Sequence, residues 1–458
     1  MPINQPPTLH NQHIYRDLRR VAAPIALQSF IASSLQLVDS LMVGSLGEAE
    51  LAAVGVSLQI YFVYWMVVFG FSSGCSTFMT QFWGAGDVAQ IRKTVGFNVT
   101  ICLAGALIFF VPATFFPEAV LGIFTNIPQT IAMGKDFVVL IAPCFLLSAY
   151  SVPMQIALRT TQQTKIPLYI SIVTFSTNTI LCYTFVFGKF GAPQLGVEGA
   201  ALATLVARSV EALLVTYMIF GRKNIIAGKL REFIGWSKVY ATRILSNSIP
   251  TTINETMWGL GTAMYVAAYA RVGITEFAAF QAGNTIQNIL VMAGFSIGDA
   301  ILILVGQKLG EGKTEEAYDL AKKLLRMGII IGLVFGGVLI LIAKPIISLY
   351  NFSPEGEKYT LYILIIYGST MWLILLGGML VVGVMRCGGD TKFAMITEVG
   401  TVWLIGVPLA FFTTMVLGLP VYLAVLAVKS EEVVKAAILL RRFYSRKWVK
   451  NMVNDLKA

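Results

Sequence analysis

Two acidic residues lie within long apolar stretches of the sequence, where charged side chains are rare. Asp39 belongs to the apolar segment 20–43, and Glu255 belongs to the segment 247–270. A carboxylate held in hydrocarbon without a cationic partner is costly, and it can reversibly take up a proton or bind Na⁺. Alternatively, neighbouring hydroxyl and amide groups satisfy the carboxylate, which then only holds helices together. We predict that both acids couple ion movement to transport.

Other charges within apolar segments have spacings that suit ion pairs. Arg208 and Glu211 are three positions apart, and Lys429 and Glu432 repeat this spacing. Opposite charges at that spacing share one face of a helix and can neutralise each other. We therefore predict two structural ion pairs. Asp299 and Glu398 could instead line a polar pathway.

Amide side chains recur on one face of the segment 276–306, at Gln281, Asn284, Gln287 and Asn288. Tyr61 occupies the position that corresponds to Gln287 in the first half of the chain, and Trp258 lies one helical turn from Glu255. Aromatic faces beside an acid suit an organic cation. We predict a substrate cleft that includes Gln281, Asn284, Asn288, Trp258 and Tyr61. Hydrogen bonding between helices is the alternative role for the amides.

Several enzyme classes lack the residues that they need. The only two histidines, His10 and His13, are in the polar first segment, so no histidine can serve a triad or a metal centre within an apolar segment. The five cysteines are scattered, and no glycine-rich phosphate loop precedes a Lys-Ser or Lys-Thr pair. We expect no enzymatic activity, no cofactor and no metal site, apart from Na⁺ at Asp39 or Glu255.

The composition predicts the elements that carry these residues. Hydrophobic residues make up 56% of the 458 residues and charged residues only 13%, about half the share in soluble proteins. Twelve apolar segments are each long enough to cross roughly 30 Å of hydrocarbon as a helix. They cover 20–43, 51–80, 94–116, 134–158, 166–188, 196–220, 247–270, 276–306, 322–349, 357–385, 393–417 and 419–442.

The distribution of basic residues predicts the orientation in the membrane. The net charge of +10 comes from Lys and Arg that concentrate in every second connection, in the run 222–243 and in the tail 441–457. By the positive-inside rule, both termini are cytoplasmic, in the plasma membrane (prokaryotic inner membrane). Basic charge therefore reflects topology and does not indicate a nucleic-acid partner. The first 19 residues are polar and contain no signal-peptide core.

The second half of the chain repeats the first at an offset of 226 residues. Pro24 corresponds to Pro250 and Gln81 to Gln307, and at an offset of 227 the pattern Arg-x4-Thr-Lys at Arg159 recurs at Arg386. Six spans per half give both halves the same orientation, so a pseudo-twofold axis along the membrane normal should relate them. We predict an all-α membrane protein with twelve transmembrane helices in two six-helix lobes.

The predicted domains follow from the repeat and the spans. They are a cytoplasmic N-terminal tail (1–19), an N-lobe (20–220), a cytoplasmic linker (221–246), a C-lobe (247–442) and a cytoplasmic C-terminal tail (443–458). The linker is basic and amphipathic, which predicts a helix on the membrane surface.

Three segments together carry a resemblance to a known family. Residues 38–55 read VDSLMVGSLGEAELAAVG, residues 196–204 read GVEGAALAT, and residues 386–392 read RCGGDTK. They resemble, in order and spacing, motifs of the MATE (multidrug and toxic compound extrusion) family, within the MOP flippase superfamily. The resemblance covers about residues 15–440.

The resemblance implies export of organic, often cationic, compounds in exchange for H⁺ or Na⁺ as two lobes rock about a cleft. Asp39 and Glu255 match the family's acids of helices one and seven. Asn178 and Thr204 match polar partners in the N-lobe cation site. Cys182 occupies the position where one branch of the family carries a further acid.

We therefore predict a secondary active antiporter that acts in multidrug efflux and is a monomer. Its expected partners are small organic cations or drugs and membrane lipids, but no nucleic acid. The alternative within the superfamily is a flippase of a lipid-linked precursor, which should have a cationic cleft for pyrophosphate. A membrane-embedded enzyme or scaffold is the alternative from another class, and the absence of histidine within the spans argues against it.

Overall fold

A computed structural model describes residues 7–348 and 352–456, and within these ranges it contains helices and connections but no strand. The predicted tails and the ninth span therefore lie partly outside the described residues. The first nine helices are α1 (Pro7–Gly44), α2 (Glu48–Gly84), α3 (Val88–Phe115), α4 (Pro117–Gly122), α5 (Pro128–Ile141), α6 (Pro143–Thr160), α7 (Lys165–Phe187), α8 (Gly196–Thr216) and α9 (Leu230–Phe233).

The second half begins with three long helices and ends with shorter ones. These are α10 (Lys238–Tyr269), α11 (Ile274–Gly310), α12 (Thr314–Ile347), α13 (Pro354–Gly378), α14 (Thr391–Thr401), α15 (Val407–Phe411), α16 (Val421–Val428) and α17 (Ser430–Tyr444). Four π-helical segments continue or join them, at Tyr217–Gly221, Met379–Met385, Val402–Gly406 and Phe412–Val416.

All twelve predicted spans lie on a helix or on a run of consecutive helical segments, so the prediction of an all-α membrane protein is confirmed. Within the described ranges, nine helices are long and apolar enough to cross a membrane, and the bent pair α5–α6 makes ten. The chain is a multi-pass membrane protein. The two predicted spans that miss the criterion lie on α10 and on α16–α17, and the latter is divided into helices of 8 and 15 residues.

The chain packs as two compact units. The N-unit is Leu27–Thr252, and the C-unit combines Met1–Ala26 with Ile253–Ala458. Each boundary falls inside a helix, two residues after Pro24 in α1 and two residues after Pro250 in α10. Proline removes one backbone hydrogen bond from a helix and permits a kink, so both boundaries coincide with points of local weakness. The predicted lobes, defined by membrane topology, stay a prediction.

Glycine permits the closest helix packing in the C-unit. Helices α12 and α13 approach so closely that a methyl group at Gly336 would overlap the carbonyl oxygen of Gly368. The next residue, Gly337, faces open space. Small residues allow such approach in lipid, where no hydrophobic driving force pulls helices together.

The predicted linker is an ordered segment with little helix. After the π-helical turn at Tyr217–Gly221, a series of turns leads to the single-turn helix α9, and α10 starts at Lys238. Phe233 and Ile226 are buried, which shows that the segment packs against the N-unit along part of its length.

Candidate functional site

Three of the four predicted cation-coupling residues meet within the N-unit, on α1, α7 and α8. The Asp39 carboxylate is half-buried and has the thiol of Cys182 as a hydrogen-bond partner. Asn178 lies one turn before Cys182 on α7, is 2% exposed, and donates from Nδ2 to the Thr204 hydroxyl over 3.3 Å. The site is thus built by three helices, because α7 and α8 are packed side by side and α1 supplies the acid.

Two oxygen atoms in this site are buried and accept no hydrogen bond from the described residues. They are Oδ1 of Asp39 and Oδ1 of Asn178. A buried acceptor without a donor carries a desolvation cost of about 1–3 kcal/mol, and more when it is charged. A proton on the Asp39 carboxylate, or a cation that reaches either oxygen, would remove part of this cost. Cation binding at this site stays a prediction.

Arg208 brings a positive charge to the same region. Its guanidinium donates to Glu211 over 2.6 Å, which confirms the predicted ion pair, and it also interacts electrostatically with Asp39. Because Arg208 is paired with Glu211, it balances the charge of Asp39 only in part. A change of charge on Asp39 therefore changes the electrostatic energy of Arg208.

A hydrogen-bonded chain that the sequence analysis missed connects this ion pair to α1. Gln155 donates to Glu211 over 2.5 Å, and Gln28 donates to Gln155 over 3.1 Å. Arg159, from the repeated Arg-x4-Thr-Lys pattern, donates to Gln28 over 2.6 Å. In the sequence, these residues are visible only as polar side chains within apolar segments. Their contacts with one another become apparent only in the fold.

Glu255 lies in the C-unit, and it has a cationic partner that the sequence analysis did not anticipate. Arg386 donates to the Glu255 carboxylate, and the two side chains are only 1% and 12% exposed. The sequence placed Arg386 in a polar connection. It is buried because the turn that follows packs closely on the chain at Trp448, where a methyl group at Gly388 would overlap the Trp448 carbonyl oxygen.

A second group of buried charges in the C-unit surrounds Lys435. Its ammonium lies 2.9 Å from Glu432, 3.6 Å from Glu431 and 3.7 Å from Glu398. Three carboxylates thus share one ammonium, and Tyr265 donates a hydrogen bond to Glu431. This cluster contains more acid than base, and the sequence analysis recognised only parts of it.

The predicted pair between Lys429 and Glu432 is wrong. Lys429 lies at the junction between α16 and α17, and its ammonium sits 5.0 Å from the ring centre of Tyr367. The Glu432 backbone amide still donates to the Lys429 carbonyl over 3.1 Å, but the Glu432 carboxylate pairs with Lys435 instead.

The sequence repeat is retained in these contacts even where residue types differ. Gln28 donates to Ser171 over 2.9 Å in the N-unit, and Asn254 donates to Glu398 over 2.6 Å in the C-unit. The donors correspond at an offset of 226 and the acceptors at 227. Both units therefore share this polar contact, whose acceptor is a hydroxyl in the N-unit and a carboxylate in the C-unit.

The residues predicted for the substrate cleft belong to both units. In the C-unit, Gln281 and Asn288 are exposed, whereas Asn284 and Trp258 are half-buried. In the N-unit, the Tyr61 hydroxyl lies 3.0 Å from the Ser148 hydroxyl, and its ring stacks near two further aromatic rings. Their joint role in substrate binding stays a prediction.

The sequence is similar to a known family over most of its length. The MatE family model matches residues 24–184 and 248–412. The probable multidrug resistance protein NorM of Thermotoga maritima is 25% identical over 445 residues, covering 96% of this chain and 94% of the relative. The probable multidrug resistance protein YoeA of Bacillus subtilis is 26% identical, covering 87% of this chain and 86% of the relative.

Solved structures share the fold. A crystal structure of a MATE protein in complex with MaL6 superimposes with a TM-score of 0.86 at 16% identity, covering 95% of this chain and 97% of the other. A MOP superfamily transporter from Pyrococcus furiosus, described as having a binding pocket of reversed polarity, gives a TM-score of 0.82 at 17% identity, covering 95% of this chain and 97% of the other.

Proposed function

Because the chain belongs to the MatE family, we propose that it is a secondary active antiporter that exports organic cations in exchange for H⁺ or Na⁺. The names of two similar proteins, both probable multidrug resistance proteins, support drugs as substrates. We further propose that it works by rocker-type alternating access, acts as a monomer in the prokaryotic inner membrane, and has both termini in the cytoplasm.

The observation that carries this proposal is the pair of buried acceptor oxygens on Asp39 and Asn178. Buried polar atoms in a purely structural site are usually hydrogen-bonded, and an exception calls for an explanation such as an ion that binds there. A site that binds and releases a cation in every cycle is such an explanation. The pair of oxygens therefore supports Asp39, Asn178 and Thr204 as the coupling site.

The coupling follows from charge. When Asp39 is ionised, its negative charge attracts a cationic substrate or partly balances Arg208. When Asp39 is protonated or bound to Na⁺, this negative charge is removed and a cationic substrate binds more weakly. Ion and substrate thus exclude each other, which is the condition for exchange.

Glu255 has a different role in this proposal. Its ion pair with Arg386 must open before Glu255 can bind an ion or a cationic substrate. We place it as a second site whose availability depends on the conformational state of the C-unit. The cluster around Lys435 lies on helices that also contact α10 through the bond from Asn254 to Glu398, and it can transmit that change.

Efflux from proteoliposomes that are loaded with a fluorescent organic cation tests the proposal. We would impose a pH gradient or a Na⁺ gradient separately and compare the wild type with Asp39→Asn. The control is Asp136→Asn, which removes an exposed acid from α5. One gradient should drive efflux in the wild type and in the control, and the Asp39 variant should lose it.

Two outcomes would contradict this function. Asp39→Asn transport at the wild-type rate, with unchanged ion dependence, would remove Asp39 from the coupling site. Absence of efflux under either gradient would favour the alternative flippase, and movement of a lipid-linked pyrophosphate across the same vesicles would then be measured.

A further inference from the structure

The segment 222–239, between the last turn of α8 and the first residues of α10, has one buried side and one exposed basic side. We call it the basic segment. On its buried side, Ile226 is fully buried and Phe233 is 5% exposed. Its backbone passes directly over α3, since a methyl group at Gly96 would overlap the carbonyl oxygen of Phe233. The segment is thus held firmly and is not a loose connection.

Polar contacts fix the same side of the basic segment. Arg92 of α3 donates to the Ile225 carbonyl over 3.0 Å and to the Glu232 carboxylate over 2.5 Å. Asn224 and Gln163 exchange two amide hydrogen bonds of 2.5 and 3.1 Å. The single acid of the segment is therefore neutralised from within the N-unit.

The exposed side carries cations without acidic partners. Five exposed basic residues take part in no ion pair among the described residues, namely Arg222, Lys223, Lys229, Arg231 and Lys238. With Glu232 occupied by Arg92, nothing in the segment neutralises these charges. A concentration of this kind next to a transmembrane helix attracts anionic headgroups.

Large apolar side chains lie among these cations. Leu230 is 76% exposed, Val239 is 74% exposed and Ile234 is 53% exposed. Such exposure is unfavourable in water but normal for a segment at the boundary of headgroups and acyl chains. The segment directly follows the candidate span Gly196–Gly221, so it lies at the level where a bilayer has this boundary.

We propose that the basic segment is a binding site for anionic phospholipids of the leaflet that it faces. The cations bind the phosphate groups, and Leu230, Ile234 and Val239 insert among the upper acyl carbons. A soluble polyanion would explain the charges but not the exposed apolar side chains. This proposal does not depend on the transported substrate or on the coupling ion.

Fluorescence quenching by brominated lipids tests the proposal. The full chain carries a fluorophore at Val239→Cys, which labels selectively because all five native cysteines are buried. In vesicles of phosphatidylcholine that contain either brominated phosphatidylglycerol or brominated phosphatidylcholine, the two quenching curves give a relative association constant. We expect phosphatidylglycerol to be preferred about fivefold or more, the factor that corresponds to one Lys or Arg at a membrane surface. The triple variant Lys229→Gln, Arg231→Gln and Lys238→Gln should lower this preference clearly below the wild-type value, to what Arg222 and Lys223 alone contribute.

Matched controls separate a local site from general charge. The triple variant Lys322→Gln, Lys323→Gln and Arg326→Gln removes the same charge from α12 and should retain the preference at position 239. A fluorophore at Leu341→Cys, on a 79% exposed position of α12, should report no preference. An unchanged thermal unfolding profile shows that each variant is folded.

Three results would overturn the proposal. One is a constant near one at position 239 in the wild-type background. Another is a preference that is unchanged in the triple variant of the basic segment. The third is quenching by aqueous iodide but by neither lipid, which would place the segment in water and leave a soluble polyanion as its partner.

Discussion

Replacing Arg386 by Met removes the guanidinium that pairs with Glu255 among the described residues and leaves a buried carboxylate without its counter-ion. The side chains of the pair are 1% and 12% exposed, so water can replace little of what is lost. Breaking a buried ion pair from one side costs about 3–5 kcal/mol in the free energy of unfolding. For a unit of this size, such a loss lowers the apparent Tm by about 10 °C.

The assay uses the cysteines of the protein. All five are buried, so a maleimide dye that fluoresces on reaction with thiols reports unfolding in detergent. We expect Arg386→Met and Glu255→Gln each to lower the apparent Tm, and the double variant to recover at least half of the summed loss. Recovery is expected because the double variant has no unpaired buried charge. The control Arg441→Met alters an exposed arginine of α17 and should leave the apparent Tm within about 2 °C.

Strictly additive losses in the double variant would refute the reasoning, because they would show that Arg386 and Glu255 contribute independently. A Tm of Arg386→Met equal to that of the Arg441 control would refute it as well, since the charge on Glu255 would then be solvated or absent.

Three further changes have matched expectations. Gly336→Ala should lower the apparent Tm by several degrees, because its methyl group overlaps the backbone of α13. Gly337→Ala faces open space and should leave the apparent Tm unchanged. Equal effects of the two variants would contradict the close packing of α12 on α13. Tyr265→Phe removes the hydrogen-bond donor to the buried carboxylate of Glu431 and should lower the free energy of unfolding by about 1.5–3 kcal/mol in the same thiol assay. A decrease below about 0.5 kcal/mol would count against that hydrogen bond. Cys182→Asp adds a second carboxylate beside Asp39 and should lower the ion concentration for half-maximal transport about tenfold, whereas Cys182→Ser should leave it unchanged. A lower half-maximal ion concentration in Cys182→Ser than in Cys182→Asp would exclude a cation site there.

Hydrophobic length alone was sufficient to predict the helices. All twelve predicted spans lie on helical segments, because twenty or so apolar residues in a bilayer can satisfy their backbone only as a helix. The predicted spans on α10 and on α16–α17 are not among the helices that are long and apolar enough, and α16 and α17 are only 8 and 15 residues long because the helix is broken between them. These helices also carry Glu255 and Lys435, which form buried ion pairs.

Pairing was predictable only within one continuous helix. Arg208 and Glu211 pair as their spacing predicts, because α8 is unbroken between them. Lys429 and Glu432 have the same spacing, but Glu432 pairs with Lys435 and the Lys429 ammonium lies over the Tyr367 ring, which are contacts that spacing alone does not reveal. Contacts such as that of Arg386 with Glu255 join residues 131 positions apart and depend on how helices pack, which local sequence does not encode.

The most direct test of the coupling claim is the ion released when substrate binds. Purified protein in weakly buffered solution is mixed with an organic cation, while proton release and Na⁺ release are followed by a pH dye and a Na⁺ dye. We predict that the wild type releases either H⁺ or Na⁺ as substrate binds and that Asp39→Asn binds substrate without releasing either ion. Equal release by the wild type and Asp39→Asn would contradict it.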